Sequence, residues 1–399
     1  MHKFAILFSI LFAVVAYYLN NEVIFEIAKL LSDVFISLLK LISLPLVFLS
    51  IVSTLSGLKD SIEIKNLIKK ILFYTLLTTI AAAVVALSLY LLIDPARKHF
   101  VSNTIESVNS NNHSYFSYLK SLVPSNFVQV FLENNIIGSI LIAFLMGGAI
   151  ISLTKEKQDI LHLVFSALFD MLLKIAQILL KFIPLAVWSF ITCFLHELKG
   201  DNEFYSLLWY FACIMSANFI QAFLILPLLM WYKGISPMQT FKGVIPALTL
   251  AFFSKSSSAT LPTTINCVQN NLNVPKKLSS FTLPICTTIN MNACAAFILI
   301  TVIFVAEVNG YTFSLSEMFI WIFLATGAAI GNAGVPMGCY FMATSYLVSM
   351  NIPLHVMGLI LPIYTIIDMF ETAINVWSDV CITQVINKEY NGENKNDIE

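Results

Sequence analysis

Charge is scarce in this chain. Only 11% of its 399 residues are charged, 58% are hydrophobic, and the mean hydropathy is +0.84. No soluble domain of this length needs so much apolar surface, so the composition implies a polytopic membrane protein. No basic stripe exists outside short loops, which removes the support for nucleic-acid binding. The formal net charge of −1 says little, because in membranes the distribution of charge matters more than its sum. Histidine is rare and scattered (His2, His99, His113, His162, His196, His355), mostly at segment ends or in loops, so a metalloenzyme is not expected. The seven cysteines (Cys193, Cys213, Cys267, Cys286, Cys294, Cys339, Cys381) form no CxxC pair and fall mostly in apolar segments. They read as small buried residues, not as a disulfide frame or a metal site. No Ser–His–Asp or histidine–carboxylate cluster supports an enzyme.

What is present is a series of long apolar runs. The first, Phe4 to Leu19, lacks the small-x-small site of a signal peptide before the next polar stretch, so it reads as a spanning helix. A second helix covers roughly 32–58, with Leu44-Pro45-Leu46 inside it, and a third runs from about 71 to 93. Lys59, Lys65, Lys69 and Lys70 crowd the loop between them and mark it as cytoplasmic. A polar loop, roughly 95–130, should lie outside. The fourth span, about 136–153, ends at Lys155 and Lys157; the fifth, about 160–195, is too long for one upright span and should tilt or bend near Pro184. His196 to Glu203 is a second outer loop, and the sixth span covers 204–232.

The chain then changes character. Ala251 to Thr264 lies within a membrane-length apolar region yet carries Lys255, Ser256, Ser257 and Ser258. Broken or polar backbone is tolerated at membrane depth only where protein or a water-filled cavity surrounds it. Residues 234–273 therefore read as a hairpin with a polar tip, both ends held on the cytoplasmic side by Lys233, Lys276 and Lys277. After a seventh helix, about 278–305, and an outer loop, about 307–317, a second break falls at Gly331 to Gly338 inside a hairpin over about 318–350. The last helix, about 354–386, carries Asp368, Glu371, Asn375 and Asp379, and a short charged tail follows. Lysine counting is self-consistent only if the two hairpins enter from opposite faces. Hairpin followed by polar helix, repeated with inverted topology, is the pattern of a secondary transporter with a site near the bilayer midplane. One such break alone reads as a kinked, tightly packed helix.

The serine hairpin, Thr288-Ile-Asn-Met-Asn292, Gly331-Asn-Ala-Gly-Val-Pro336 and the run from Asp368 to Asp379, in that order, resemble the dicarboxylate/amino acid:cation symporter family, the glutamate transporter homologues. The resemblance covers about residues 30–385. It implies an all-α polytopic membrane protein of eight transmembrane helices plus two re-entrant hairpins, built as inverted repeats. It also implies scaffold helices one and two in 1–70, transport-domain helix three in 71–94, and the outer loop with scaffold helices four and five in 95–200. The rest of the transport domain fills 201–386, and 387–399 is a cytoplasmic tail. Implied with these are a homotrimer in the bacterial inner membrane, cytoplasmic termini, an elevator motion, sodium as the coupling ion, and no organic cofactor.

Asp368, Thr372, Asn375 and Asp379 share one face of the last helix. Buried charges at mid-membrane cost about 2.5–3.5 kcal/mol each on insertion scales, so such a face is a functional-site hypothesis. A polar knot satisfied by Lys255 is the plain alternative. By resemblance, Asp379, Asn375, Asn290 and a backbone carbonyl near Cys286 form a sodium site, whose oxygens suit a hard cation. Thr288 with carbonyls from Ala329, Ile330 and Asn332 resembles a second. A third family site uses hydroxyls like Thr78 and Thr79 with an acid, but here Asn292 replaces the acid and Thr75 a tyrosine, so that site is in doubt. The plain reading of Thr78 and Thr79 is hydroxyls bonding back to their own helix.

For the substrate, Ser257 and Asn375 match α-carboxylate positions, while Asp368 and Thr372 match α-ammonium positions; Ser256, Ser258, Lys255, Val335 and Cys339 complete the implied pocket. Glu371 and Cys294 depart from the pattern: acidic-substrate members carry an arginine and a threonine there. Like charges about 4 Å apart at an effective dielectric near 20 repel by about 4 kcal/mol, so Glu371 should reject aspartate and glutamate. A neutral or cationic amino acid is expected, with Lys255 as a possible partner of Glu371. The alternatives are a proton-coupled symporter of acidic amino acids or dicarboxylates, and a passive channel.

Overall fold

The computed structural model describes residues 2–19, 21–57, 62–96, 126–132, 136–197, 202–332 and 337–396. Most of the expected outer loop at 95–130 lies outside these, as do parts of the loop after His196 and the expected site residue Val335. Among the described residues the structure is all-helical. Helix α1 spans His2–Leu19, α2 Glu22–Ser56, α3 Ile62–Ile93, and a single turn, α4, Gln129–Leu132. Asn21 starts α2 by accepting the amides of Val23 and Ile24 at 2.9 and 3.4 Å, which satisfies donors the helix cannot. Helix α5 spans Ile136–Ile151.

The long fifth segment bends where expected. It divides into α6, Lys155–Lys181, and α7, Ile183–Glu197, beside Pro184, which has no N–H to offer the helical ladder. Helix α8, Asn202–Ile220, passes through a π-turn at Gln221–Ile225 into α9, Leu226–Tyr232. The wider turn leaves the Ala222 carbonyl to accept from Trp377 Nε1 at 3.0 Å, and from the same turn Gln221 Nε2 donates to the Thr78 carbonyl of α3 at 3.1 Å.

Helices α10, Pro237–Ser254, and α11, Ser257–Leu272, pack against each other around the serine tip. Lys255 sits in the left-handed region (φ 54°), a conformation that L residues adopt at a cost and that reverses the chain. Ser256 is the cap of α11, accepting from the Ala259 amide at 3.2 Å. The seventh segment is not the single helix the sequence suggests. It is α12, Lys276–Ile289, and α13, Asn292–Val308, separated at Asn290 and Met291, whose backbones leave the helical region. Helix α13 is buried all round from Asn292 to Ala306, the state its uniform apolarity requires.

Helix α14, Leu315–Gly331, opens with a reciprocal cap between Ser314 and Glu317, and α15, Gly338–Ser349, follows. The last helix, α16, spans His355–Asn396 and so runs past the expected end near 386. Its extension is fastened: Tyr74 donates to Glu389, which also pairs with Lys233 at 2.7 Å and Lys70 at 3.6 Å. That hydrogen bond to Glu389 holds the Lys233 ammonium above its ordinary pKa.

Two packing groups emerge. Helices α1, α2, α5, α6 and α7 pack among themselves; α3 and α8 to α16 form the other group around α13. They meet where α15 crosses α2 and α16 crosses α7. Among the described residues, four segments, 66–93, 205–232, 276–308 and 355–390, are long and apolar enough to cross a membrane. Several shorter apolar helices accompany them.

The α16–α7 crossing depends on Gly358, where an added Cβ would lie 2.2 Å from the buried Phe190 ring. Small residues let membrane helices approach this closely. Gly358→Ala should cost about 1–3 kcal/mol, the range for overpacking, and lower the melting temperature in detergent. Phe190→Leu in the same chain should recover part of the loss. An unchanged melting temperature in the single variant would show that the crossing is looser than described.

Candidate functional site

Three interruptions and one helix face converge on one cavity. The α10–α11 tip supplies Lys255 and Ser257; the α12–α13 break supplies Met291 and Cys294; the ends of α14 and α15 supply Asn332, Gly338 and Cys339. One face of α16 supplies Tyr364, Asp368, Glu371, Thr372 and Asn375. The cavity measures about 20 Å³, room for roughly one water molecule. A larger groove of about 410 Å³ lies between Phe219, Phe223, Phe252 and Trp377. Its lining is almost wholly apolar, so it offers nothing to orient a charged ligand, and the chemistry lies in the smaller cavity.

Most of the residues expected around a substrate are thus neighbours. Ser256 is engaged as a helix cap, Ser258 is exposed and does not line the cavity, and Val335 lies outside the described residues. Tyr364, Met291 and Gly338 were not expected there. Tyr364 could have been found: it precedes Asp368 by four positions and Glu371 by seven, so it lies on the same helical stripe.

The polar groups in the cavity are unevenly satisfied. Thr372 Oγ1 donates to its own helix at the Asp368 carbonyl, 2.8 Å away. Glu371 is 1% exposed and accepts from the Tyr364 hydroxyl at 3.3 Å, while its Oε1 has no hydrogen-bond partner among the described residues. The expected pairing of Glu371 with Lys255 is not formed, since no ion pair joins them. Asn375 Oδ1 accepts from the Ala293 amide at 3.0 Å and caps the start of α13.

One expectation is overturned here. Cys294 and Cys339, read from the sequence as small buried residues outside any disulfide, are bonded, with Cα atoms 5.3 Å apart. They lie 45 residues apart on different helices, and only the folded arrangement joins them. Asn332 Nδ2 lies 3.1 and 3.4 Å from the two sulfurs. Cys213, Cys267, Cys286 and Cys381 are buried and lie outside any disulfide.

Beside the cavity is a second polar cluster. Asp379 accepts from Asn290 Nδ2 at 2.9 Å and from Thr287 Oγ1 at 3.2 Å. Asn290 Oδ1 is buried without a partner, and the Asn290 amide bonds the Cys286 carbonyl at 2.8 Å. A carboxylate and an unsatisfied amide oxygen are hard donors of the kind a sodium ion takes. Thr288 bonds back to its own helix at the Ile285 carbonyl, 2.7 Å away. Its helix packs against α14, which carries Ala329 and Ile330 and ends at Asn332.

The Thr78–Thr79–Asn292 cluster is closed by an amide. Thr78 and Thr79 Oγ1 lie 2.8 and 2.7 Å from carbonyls of their own helix, and 3.3 and 2.7 Å from the Asn292 side-chain oxygen as drawn. Each hydroxyl has one proton and cannot serve both. The Asn292 nitrogen as drawn lies 2.5 Å from Ser378 Oγ, short for N–H···O but ordinary for O–H···O. Exchanging the amide's nitrogen and oxygen resolves both conflicts. Asn292 then donates to the two threonines, accepts from Ser378, and turns N–H groups toward the place a cation would need oxygens.

Known proteins agree with the architecture. The family model described as the sodium:dicarboxylate symporter family matches residues 3–389. Excitatory amino acid transporter 3 of Mus musculus is 25% identical over 413 residues, covering 89% of this chain and 78% of its own. Neutral amino acid transporter A of Bos taurus is 26% identical over 394 residues, covering 87% and 73%. Neutral amino acid transporter B(0) of Oryctolagus cuniculus is 26% identical over 384 residues, covering 87% and 71%. Broken apolar helices, a buried polar cavity and a match over nearly the whole chain describe a multi-pass membrane transporter, not an enzyme. The chain belongs to the sodium:dicarboxylate symporter family.

Proposed function

We propose that this chain takes up an amino acid without an acidic side chain, coupled to sodium, by secondary active transport. The observation that carries the reading is the buried Glu371 carboxylate, with one oxygen unpartnered, in the same cavity as Asp368, Lys255 and Ser257. Asp368 and Thr372 take the α-ammonium; Ser257, Asn375 and the amides at the α10–α11 tip take the α-carboxylate. Glu371 then faces the side chain, where it attracts a cation or a hydrogen-bond donor. The cavity of about 20 Å³ is too small for an amino acid, so entry requires the hairpin tips to separate. A closed chamber favours an alternating carrier over a channel. The two packing groups support a division into scaffold and moving domain, and we extend the reading to an elevator within a homotrimer.

Competition for a bound substrate tests the substrate class. Arginine and serine should compete, and aspartate should be weaker by up to about a thousandfold, the factor for an unscreened like-charge contact. Glu371→Arg with Lys255→Ser should reverse the order. Strong competition by aspartate in the unmutated chain would sink the reading.

Sodium should strengthen substrate binding through Asp379 and Asn290. Affinity measured in sodium and in choline buffer at fixed pH should differ, and Asp379→Asn should shrink the difference more than it lowers folding yield. Equal affinities in the two buffers would exclude sodium coupling.

Asn292→Asp removes the N–H groups that fill the threonine cluster and supplies a carboxylate there. The sodium dependence of substrate binding should steepen, its Hill slope rising by about one as a further ion joins. An unchanged slope in a well-folded variant would show that the cluster is no latent cation site.

A further inference from the structure

Among the described residues, one group of three metal-ligating side chains has its ligand atoms within 4.8 Å of one another: Cys294 Sγ, Cys339 Sγ and a Glu371 carboxylate oxygen, all buried. Glu371 Oε1 is also unpartnered, so a carboxylate lone pair is free to turn toward the sulfurs. As a disulfide the sulfurs carry no charge and hold no cation. Reduced, they are two thiols beside a carboxylate, a donor set that soft and borderline ions prefer and sodium does not. We propose that the dithiol form of this cavity is a binding site for a thiophilic divalent cation, with zinc and cadmium as its probes, and that metal and amino acid exclude each other there.

The geometry suits such an ion. Zinc takes tetrahedral ligands at about 2.3 Å from sulfur and 2.0–2.2 Å from carboxylate oxygen, which places neighbouring donors roughly 3.5 Å apart. The spread of 4.8 Å closes to that with small side-chain rotations. Asn332 adds a fourth candidate: its Oδ1 is buried and unpartnered, and its amide already lies against both sulfurs. Two thiolates and one carboxylate leave a bound divalent cation with one excess negative charge; with Asp368 the cavity then holds two, of which Lys255 offsets one. The chemistry balances. A trialkylphosphine with water converts the disulfide to two thiols and a phosphine oxide; the metal then displaces two thiol protons to solvent. Exclusion of the amino acid rests on the substrate reading above, because the metal would occupy the Glu371 carboxylate that faces the side chain.

The test uses the full chain in detergent, reduced with a phosphine, freed of it without air, and dialysed against cadmium or zinc. About one ion per chain is expected, with a thiolate-to-cadmium charge-transfer band in the ultraviolet. The oxidised chain should show neither. Cys294→Ser and Cys339→Ser should each abolish the band or weaken binding at least about tenfold, and Glu371→Gln should weaken it while keeping the band. Should a variant fail to fold, zinc protection of Cys294 and Cys339 from alkylation in the unmutated chain gives the same answer by mass spectrometry. A band that survives both serine variants, or a reduced chain that takes up no metal and gains no protection, overturns the site. Undiminished amino acid binding in the metal-loaded chain overturns the exclusion. Lack of amino acid binding with or without metal counts against the transport reading alone, because metal uptake is read independently.

Discussion

A helix that stops inside a bilayer leaves backbone amides and carbonyls with no water to receive them. Among the described residues, this protein interrupts its helices around the cavity at three places, at Lys255, at Asn290 and between Gly331 and Gly338, and brings all three together. The interruptions are tolerable because they face one another, and they face one another because α13 is buried on every side and holds the broken ends in register. Asn375 closes the start of α13, Ser256 closes the start of α11, and the polar stripe of α16 lies across the gap. Eleven buried side-chain atoms lack a partner among the described residues, and three of them, Glu371 Oε1, Asn290 Oδ1 and Asn332 Oδ1, lie at or beside the cavity. An orphaned buried oxygen costs about 1–3 kcal/mol when nothing answers it. In a carrier, such oxygens are where cargo recovers that cost.

The polar breaks and the polar helix were legible because membrane depth penalises polarity so strongly. Three serines and a lysine in an apolar stretch, or carboxylates three and eleven apart on one helix, have few bland explanations there. The bend at Pro184 was legible for a similar reason, since a missing N–H has one local consequence. What sequence could not show was contact. Asn290 and Met291 interrupt a helix without glycine or proline between them, because Asp379 and Ser378 on α16 draw the Asn290 side chain across. Cys294 and Cys339 meet through the fold alone. The extension of α16 past Ile386 likewise depends on Tyr74, Lys233 and Lys70, which sit far away along the chain.

Asn292 shows how one neutral substitution reorganises a site. An acid there would present oxygens to a cation between the helices; an amide presents hydrogens to Thr78 and Thr79 and an oxygen to Ser378. Every proton in the cluster then has one acceptor. These hydrogen bonds tie α3 to α13 and α16. Gln221 reinforces the tie from the π-turn by donating to the Thr78 carbonyl.

Charge balance in the cavity bears on what enters it. Lys255 brings one positive charge, while Asp368 and Glu371 bring two negative ones, and no ion pair joins Lys255 to Glu371. A zwitterion with an uncharged side chain adds nothing to this balance and leaves one carboxylate in excess. An acidic side chain would deepen the excess in a medium where each unpaired charge costs several kcal/mol. A cationic side chain removes it. A divalent ion that displaces two thiol protons leaves the balance as it was, as an uncharged side chain does. Glu371 Oε1, buried without a partner, is the point at which an occupant can supply positive charge or a hydrogen-bond donor.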